Sequence, residues 1–230
     1  MNDMSRKPAP DTRFEMVDGR LFDPLRPDPE AIGIDAIATV LSNSCRFGGH
    51  IEGFYSTAQH SVLVAFLAPR DPGAQRYALL HDADEAFGLP DMLTMLKPVF
   101  PDFVFVQAMI AKAIEHRFGL DHEDHARIKP ADRQALVLEK SQMKKCLDRR
   151  YWHAWSDGVP AVEGINIDLL PPKNARELFL DAHEQIFLRE LPVDADFLAD
   201  RGGFEIDPDL LRGPLWLEAS RAGDIDMSPC

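Results

Sequence analysis

The sequence predicts an all-α fold, a bundle of helices with a small β-hairpin at its N-terminal end. Apolar residues recur every three or four positions through most of the chain from residue 35 to residue 191, which is the spacing of amphipathic helices. Near the N-terminus, the pair Asp18-Gly19 lies between two short apolar runs, a pattern typical of a tight hairpin turn. We therefore expect the hairpin within residues 13–22 and helices after it.

Start and stop signals place the individual helices. Ser56-Thr-Ala-Gln59 fits a capping box, so it opens a helix with His60 in the first turn. Residues 77–87 are predicted to form one helix that ends near Gly88, a plausible C-cap. Lys129-Pro130-Ala-Asp132 is predicted to open another helix, because proline is favoured in a first turn. The remaining predicted helices are 35–43, 102–119 and 174–191.

One domain is expected to fill most of the chain. Its predicted limits are residues 13–191, preceded by an N-terminal extension over residues 1–12. Residues 151–172 have a loop-like pattern. Residues 192–230 are rich in Asp, Gly and Pro and have poor periodicity, so they are expected to form a peripheral C-terminal tail.

Composition restricts the class of partner. The formal net charge of −13 argues against stable nucleic-acid binding and against an anionic membrane surface, because phosphates require basic surface. No apolar run is long enough to cross a bilayer, and the N-terminus lacks the apolar core of a signal peptide. Three widely spaced cysteines without a CxxC pair favour a reduced, cytoplasmic setting.

Two imidazoles and two carboxylates form a candidate metal site. His60, the His81-Asp82 pair and Asp132 come from three separate predicted helices, and packed helices can project such ligands into one cavity. Two nitrogen and two oxygen ligands suit Mn, Co, Fe or Zn, and they leave positions open for water and a substrate oxygen. Mg²⁺ bound together with substrate phosphates is a further option. Glu85 follows His81 by four residues, so it points to the same side of the predicted helix.

This ordered set resembles the H…HD…D pattern of HD-domain phosphohydrolases. The resemblance is closer to the 5′-deoxynucleotidase branch, which includes phage dATP triphosphohydrolases. It extends over roughly residues 13–191, and its stretches are 19–24, 45–50, 54–61, 81–87, 91–98 and 129–133. The resemblance implies an HD-domain helical bundle in which His60, His81, Asp82 and Asp132 bind one divalent ion and Glu85 is the catalytic acid or base.

Further residues are assigned through the same resemblance. Arg46 and Phe47 match an Arg-aromatic pair that helps to seat the nucleotide, and Asp91 matches an acidic residue near the leaving oxygen or the sugar. Lys97 is a candidate phosphate partner that acts as a point charge, and His50 is a candidate substrate contact.

The expected function is hydrolysis of phosphate esters or anhydrides of small (deoxy)nucleotides by a metal-activated water. The residues do not distinguish a 5′-nucleotidase from a dNTP triphosphohydrolase. The alternatives are a cyclic-nucleotide or second-messenger phosphodiesterase and a non-catalytic nucleotide-binding protein. Relatives of this kind often pair through helices, so a homodimer is also expected.

Overall fold

The computed structural model describes residues 11–145 and 148–207. These residues are mostly helical, and an antiparallel hairpin precedes the helices, so the predicted all-α fold is confirmed. The helices are α1 (Ile34–Asn43), α2 (Thr57–Leu67), α3 (Pro72–Leu80), α4 (Pro101–Phe118), α5 (Glu123–Met143), α6 (Arg149–Ser156), α7 (Pro172–His183) and α8 (Ala195–Ala199). The strands are β1 (Phe14–Glu15), β2 (Leu21–Phe22), β3 (Ile165–Ile167) and β4 (Phe204–Ile206).

Helix α2 lies at the centre of the fold. Each of its residues is buried, and it packs against α1, α3, α5 and α7. A helix that is apolar on most sides belongs inside a protein, because no face of it gains from contact with water. It begins as the capping box predicts, since the Ser56 hydroxyl accepts a hydrogen bond from the Gln59 amide at 3.1 Å. The polar side chains of α2, among them Gln59 and His60, are therefore buried and require internal partners.

The predicted single helix over residues 77–87 is wrong. Helix α3 ends at Leu80, His81 forms its C-cap, and Asp82 leaves helical geometry with φ −104° and ψ 13°. A 3₁₀ turn, Ala83–Ala86, follows. The sequence conceals this break because a 3₁₀ turn has about three residues per turn, so the apolar spacing continues almost unchanged.

The predicted helix start at Pro130 is also wrong. Helix α5 begins seven residues earlier, at Glu123, and continues through Pro130 to Met143. Proline usually interrupts a helix because it lacks an amide hydrogen and crowds the preceding turn. Here the buried residues Ile128, Ala131 and Ala135 lie on both sides of it, and their packing holds the helix together. Asp132 consequently lies in the middle of α5, not in a first turn.

The region predicted to be a loop followed by a peripheral tail is more ordered than expected. Helix α6 and strand β3 lie within residues 149–167, and β3 pairs with β4 in antiparallel register, with Ile165 opposite Ile206. Val193, Phe197, Leu198 and Phe204 are buried in the main core. The prediction of a peripheral tail is therefore wrong for residues 193–206. Residues 208–230, the rest of that predicted tail, lie outside the described residues, as do residues 1–10.

Two buried glutamine side chains hold this C-terminal segment in place. Gln59 of α2 donates to the carbonyl oxygens of Asp168 and Gly203 at 2.7 and 2.9 Å. Gln75 of α3 donates to the carbonyl of Val193 at 3.2 Å and accepts from its amide at 3.1 Å. These amides give the buried backbone of an irregular segment the partners that regular secondary structure would otherwise supply.

Candidate metal centre

The structure brings His60, His81 and Asp132 together from three packed helices. His60 lies in the first turn of α2, His81 at the end of α3 and Asp132 midway along α5. The two Nε2 atoms of the histidines are 3.3 Å apart. The Asp132 Oδ1 atom is 3.4 Å from Nε2 of His60 and 3.8 Å from Nε2 of His81. One ligand atom of each residue thus faces a common point.

Asp82 lies close to both imidazoles of this group. Its Oδ2 atom is 3.3 Å from Nε2 of His81 and 3.5 Å from Nε2 of His60. Nitrogen and oxygen atoms that each lie about 2.1 Å from one ion are themselves about 3.0–3.4 Å apart in octahedral or tetrahedral sites. The separations among His60, His81 and Asp132 are close to this range, so these three residues could hold a divalent ion, and Asp82 lies beside them without belonging to the group whose ligand atoms converge.

Hydrogen bonds on the far side of each ring determine which nitrogen faces this point with a lone pair. The Nδ1 atom of His81 lies 2.7 Å from the carbonyl oxygen of Ala78, which can only accept, so Nδ1 carries the hydrogen. The Nδ1 atom of His60 lies 2.5 Å from a carboxylate oxygen of Glu139. In the neutral rings, both Nε2 atoms then present lone pairs to each other. Two facing lone pairs repel, and a cation between them removes that repulsion.

The charges around the centre are not balanced by the protein alone. In the described part of the chain, Arg46 is the one lysine or arginine within ion-pairing distance of these carboxylates, at 3.4 Å from both Asp82 and Glu139. Burial and Arg46 both lower the pKa of His60, yet the negative charge of Glu139 and the hydrogen bonds that His60 donates to Asp132 and Glu139 raise it to about 9. A surplus of negative charge surrounds the imidazoles, and a divalent cation would neutralise it.

Glu85 lies beside this group on the 3₁₀ turn. Its side chain is buried, and its Oε2 atom has no hydrogen-bond partner among the described residues. Burial, followed by the negative charges of Asp82 and Asp91, raises the pKa of Glu85 well above the usual value of a glutamate. A carboxyl group with a raised pKa holds its proton to a higher pH than an exposed glutamate does. The predicted position of Glu85 near the ligands therefore agrees with the structure, although the predicted helix does not.

The predicted substrate residues Arg46 and Phe47 border the same centre. The Arg46 side chain is 11% exposed and contacts Asp82 directly. Its guanidinium carbon is 5.6 Å from the centroid of the Phe47 ring, and Nζ of Lys144 is also 5.6 Å from that centroid. Phe47 has a φ of 58°, a left-handed conformation that costs energy for any residue with a Cβ atom.

The remaining predicted site residues are His50, Asp91 and Lys97. His50 is exposed, its backbone carbonyl accepts a hydrogen bond from Lys144, and its ring is not part of the group of ligand atoms. The negative charge of Asp91 raises the pKa of both Arg46 and Glu85, so Asp91 lies near both. Lys97 lies in a 3₁₀ turn, Thr94–Val99, and its charge acts on the buried Asp84. Roles in a reaction stay predictions for all three.

Glu139 and Tyr55 were not identified from the sequence. Glu139 is fully buried in α5 and contacts His60, Arg46 and Tyr55. The sequence pattern that could have identified Glu139 is its spacing. Glu139 follows Asp132 by seven residues, which is two helical turns, so both lie on the same face of the helix. That relation is visible only when the helix is known to run through both positions. Tyr55 follows Phe54 just before a helix, and no local pattern marks it as a partner of Glu139.

Two proteins of known sequence resemble this chain over most of their length. The uncharacterized protein YfdR of Escherichia coli K12 is 36% identical over 150 residues, which cover 65% of this chain and 82% of YfdR. An uncharacterized protein of Rhodobacter capsulatus is 35% identical over 189 residues, which cover 76% of this chain and 95% of that protein. The chain belongs to their family.

The names of these family members state no activity, and no family model matches the chain. Among the described residues, no helix has the length and apolar character that crossing a membrane requires.

Proposed function

We propose that the protein is an HD-domain phosphohydrolase that binds one divalent ion through His60, His81, Asp82 and Asp132 and hydrolyses small (deoxy)nucleotides. The observation that carries the proposal is the convergence of Nε2 of His60, Nε2 of His81 and Oδ1 of Asp132, with separations of 3.3–3.8 Å, beside Oδ2 of Asp82 at 3.3 and 3.5 Å from the two nitrogens. The hydrogen bonds to Glu139 and Ala78 fix the rings in this orientation, as is typical of histidines that bind metals.

A bound divalent ion would supply Lewis acidity, which lowers the pKa of water and polarises a phosphoryl oxygen. Glu85 would provide the proton transfer, since its buried carboxyl group has an unpartnered oxygen beside the ligands. Access from solvent is available on the side of Asp132, whose side chain is 43% exposed, whereas that of His60 is fully buried.

Arg46 and Phe47 support a nucleotide as the substrate. A guanidinium group that already neutralises Asp82 can offer its remaining donors to a phosphate, and an adjacent half-buried ring can stack on a base. The ring of Phe47 lies near the cations of both Arg46 and Lys144, and its backbone has an unfavourable left-handed conformation of the kind that is often found at functional sites. The choice of a (deoxy)nucleotide over another small phosphate rests on the resemblance to 5′-deoxynucleotidases.

The test is a screen of dNMPs, dNTPs and cyclic nucleotides with added Mn²⁺ or Co²⁺ and chromatographic analysis of products. We expect phosphate release from dNMPs or triphosphate release from dNTPs. Glu85→Gln should lower kcat by about 10²–10⁴-fold, because it removes a positioned proton donor, with Mn²⁺ affinity unchanged. Glu123→Gln, an exposed substitution in α5, is the matched control and should keep full activity.

Three outcomes would change the assignment. Equal rates for the unaltered protein and Glu85→Gln would remove Glu85 from the mechanism. Cleavage confined to cyclic nucleotides would make the protein a phosphodiesterase. Metal binding without turnover of any of these compounds would favour a non-catalytic nucleotide-binding protein.

A further inference from the structure

Glu139 is a buried carboxylate to which neither the sequence nor the proposed reaction gives a role. It is fully buried in α5, where an unpaired carboxylate would be strongly destabilising. Its Oε1 atom is 2.5 Å from Nδ1 of His60 and 3.0 Å from the Tyr55 hydroxyl. Its Oε2 atom is 3.4 Å from Nη2 of Arg46. One carboxylate thus contacts both a candidate metal ligand and the cation beside it.

The three partners of Glu139 are all donors. The Tyr55 hydroxyl and the Arg46 guanidinium donate to it, and an ionised carboxylate can only accept, so Nδ1 of His60 must carry a hydrogen. The His60 lone pair is then on Nε2, the atom that lies 3.3 Å from Nε2 of His81. Replacement of either Glu139 oxygen by an NH₂ group would set a donor against a donor.

The position of Glu139 on α5 adds a geometric constraint. Asp132 precedes it by two helical turns, so a single rigid element supplies both a ligand and the group that orients a second ligand from α2. Arg46 is fixed by the same element, since its guanidinium spans Glu139 and Asp82. The relative positions of His60, Asp132 and Arg46 are therefore coupled through α5.

We infer that Glu139 is a positioning residue that holds His60 Nε2 toward the ion and holds Arg46 toward the phosphate of the substrate. This inference rests on the metal site of the proposed function. It predicts two separate effects when Glu139 becomes glutamine, because the amide has one accepting and one donating end. If the amide oxygen faces His60 and Tyr55, the NH₂ group repels Arg46. If the amide oxygen faces Arg46, the NH₂ group faces His60.

The experiment is a calorimetric titration of the full chain with Mn²⁺ alone, for the unaltered protein, Glu139→Gln and a control. The control is Gln142→Ala, one turn further along α5, which loses hydrogen bonds to β3 at 2.7 and 2.9 Å and leaves His60 intact. We expect Glu139→Gln to bind Mn²⁺ about 10–100-fold more weakly, as other changes behind a metal ligand do. If its Mn²⁺ affinity is unchanged, its KM for the nucleotide hydrolysed in the screen above should be raised, because Arg46 is no longer held toward the phosphate. Gln142→Ala should bind like the unaltered protein.

Each result is decisive. Equal Mn²⁺ affinity together with equal KM in Glu139→Gln overturns the role of Glu139 while the metal site stands. Absence of Mn²⁺ binding by the unaltered protein overturns the site itself, and with it any role of Glu139 toward an ion. Should Glu139→Gln fail to fold, ¹⁵N NMR of the ring nitrogens of His60 in the unaltered protein gives the answer. The account requires the Nδ1–H tautomer, and the Nε2–H tautomer would contradict it.

Discussion

Helix α3 meets helix α5 at both of its ends, and the two meeting points differ in kind. At the N-terminal end, Asp71 caps α3 by accepting from the Ala74 amide at 3.0 Å, and it pairs with Arg127 of α5. Arg127 also contacts Asp124 on its own helix. At the C-terminal end, Nε2 of His81 lies 3.3 Å from Oδ2 of Asp82 and 3.8 Å from Oδ1 of Asp132 in α5. Both clusters join the same pair of helices with ionisable side chains.

The difference lies in which polar atoms already have partners. The carboxylate of Asp71 receives hydrogen bonds from a backbone amide and from a guanidinium, so the cluster is complete and partly exposed. At the other end, two Nε2 atoms lie 3.3 Å apart, and among the described residues the nearby carboxylates outnumber the single nearby guanidinium, that of Arg46. A cluster whose atoms satisfy one another stabilises the fold, whereas one in which two imidazole nitrogens and a carboxylate oxygen converge could hold an ion.

The largest expected effect comes from Asp132→Ala at the C-terminal end. Loss of a direct ligand should weaken Mn²⁺ binding by more than about 100-fold, since even changes behind a ligand cost about 10–100-fold. Phosphate release should fall with it. Calorimetric titration measures the affinity, and Asp71→Ala is the matched control that removes a carboxylate from the opposite end. An Mn²⁺ affinity in Asp132→Ala equal to that of the control would show that the two ends do not differ as described.

Addition of Mn²⁺ should stabilise the folded protein through the cluster at the C-terminal end of α3 and not through the cluster at its N-terminal end. At an Mn²⁺ concentration of about 100 times its Kd, binding to the folded state adds about 2.7 kcal/mol to the free energy of unfolding. We expect a clear rise in Tm for the unaltered protein and for Asp71→Ala. Asp132→Ala should show little rise under the same conditions. Identical shifts in all three proteins, measured by thermal unfolding with and without Mn²⁺, would point to binding elsewhere.

Asp71→Ala should instead destabilise the fold in the absence of metal. It removes an N-cap hydrogen bond from α3 and the partner of Arg127, and loss of an N-cap alone costs about 0.5–2 kcal/mol. Denaturant unfolding of the metal-free protein measures this difference. Ser61→Ala, which removes a side-chain hydrogen bond to the Thr57 carbonyl within α2, is a control for the loss of one polar group. A stability for Asp71→Ala equal to that of the unaltered protein would mean that the N-terminal cluster is not structural.

The smallest expected effect is the pH dependence of the difference in stability between the unaltered protein and Asp71→Ala. Burial alone would raise the pKa of Asp71, but hydrogen bonds from Ala74 and Arg127 and the charge of Arg127 lower it below the usual value of an aspartate. A carboxylate with a lowered pKa in the folded state stabilises the fold above its unfolded pKa, and this contribution is lost as the pH falls through the folded value. The stability gap between the unaltered protein and Asp71→Ala should therefore narrow below about pH 4. A gap that widens in acid would contradict the assigned ion pair.

The sequence predicted the parts of the fold whose signals are local. The capping box at Ser56 and the left-handed glycine that ends α4 at Gly119 were recognisable because each depends on a few neighbouring residues. The hairpin turn at Asp18-Gly19 likewise joins β1 to β2, with Phe14 opposite Phe22. The ordered pattern of histidine and aspartate residues also identified side chains that the structure brings together.

The structural features that the sequence did not predict depend on contacts between residues far apart in the chain. The break after Leu80 preserves apolar spacing, and the passage of α5 through Pro130 depends on packing from other helices. The role of Gln59 and Gln75 as partners for the C-terminal segment joins residues more than 100 positions apart, which no local pattern reveals. Glu139 was missed for a related reason, because its partners His60 and Arg46 precede it by 79 and 93 positions.

X-ray absorption spectroscopy of the Co²⁺-loaded protein tests the central claim most directly. It measures the kind and distance of atoms bound to the ion without requiring a substrate. The account predicts one ion per chain with two imidazole ligands and with oxygen as the remaining ligands, all at about 2.0–2.2 Å. A spectrum without imidazole scattering, or one that retains two imidazoles in a His60→Ala, His81→Ala double variant, would place the ion elsewhere and contradict the site.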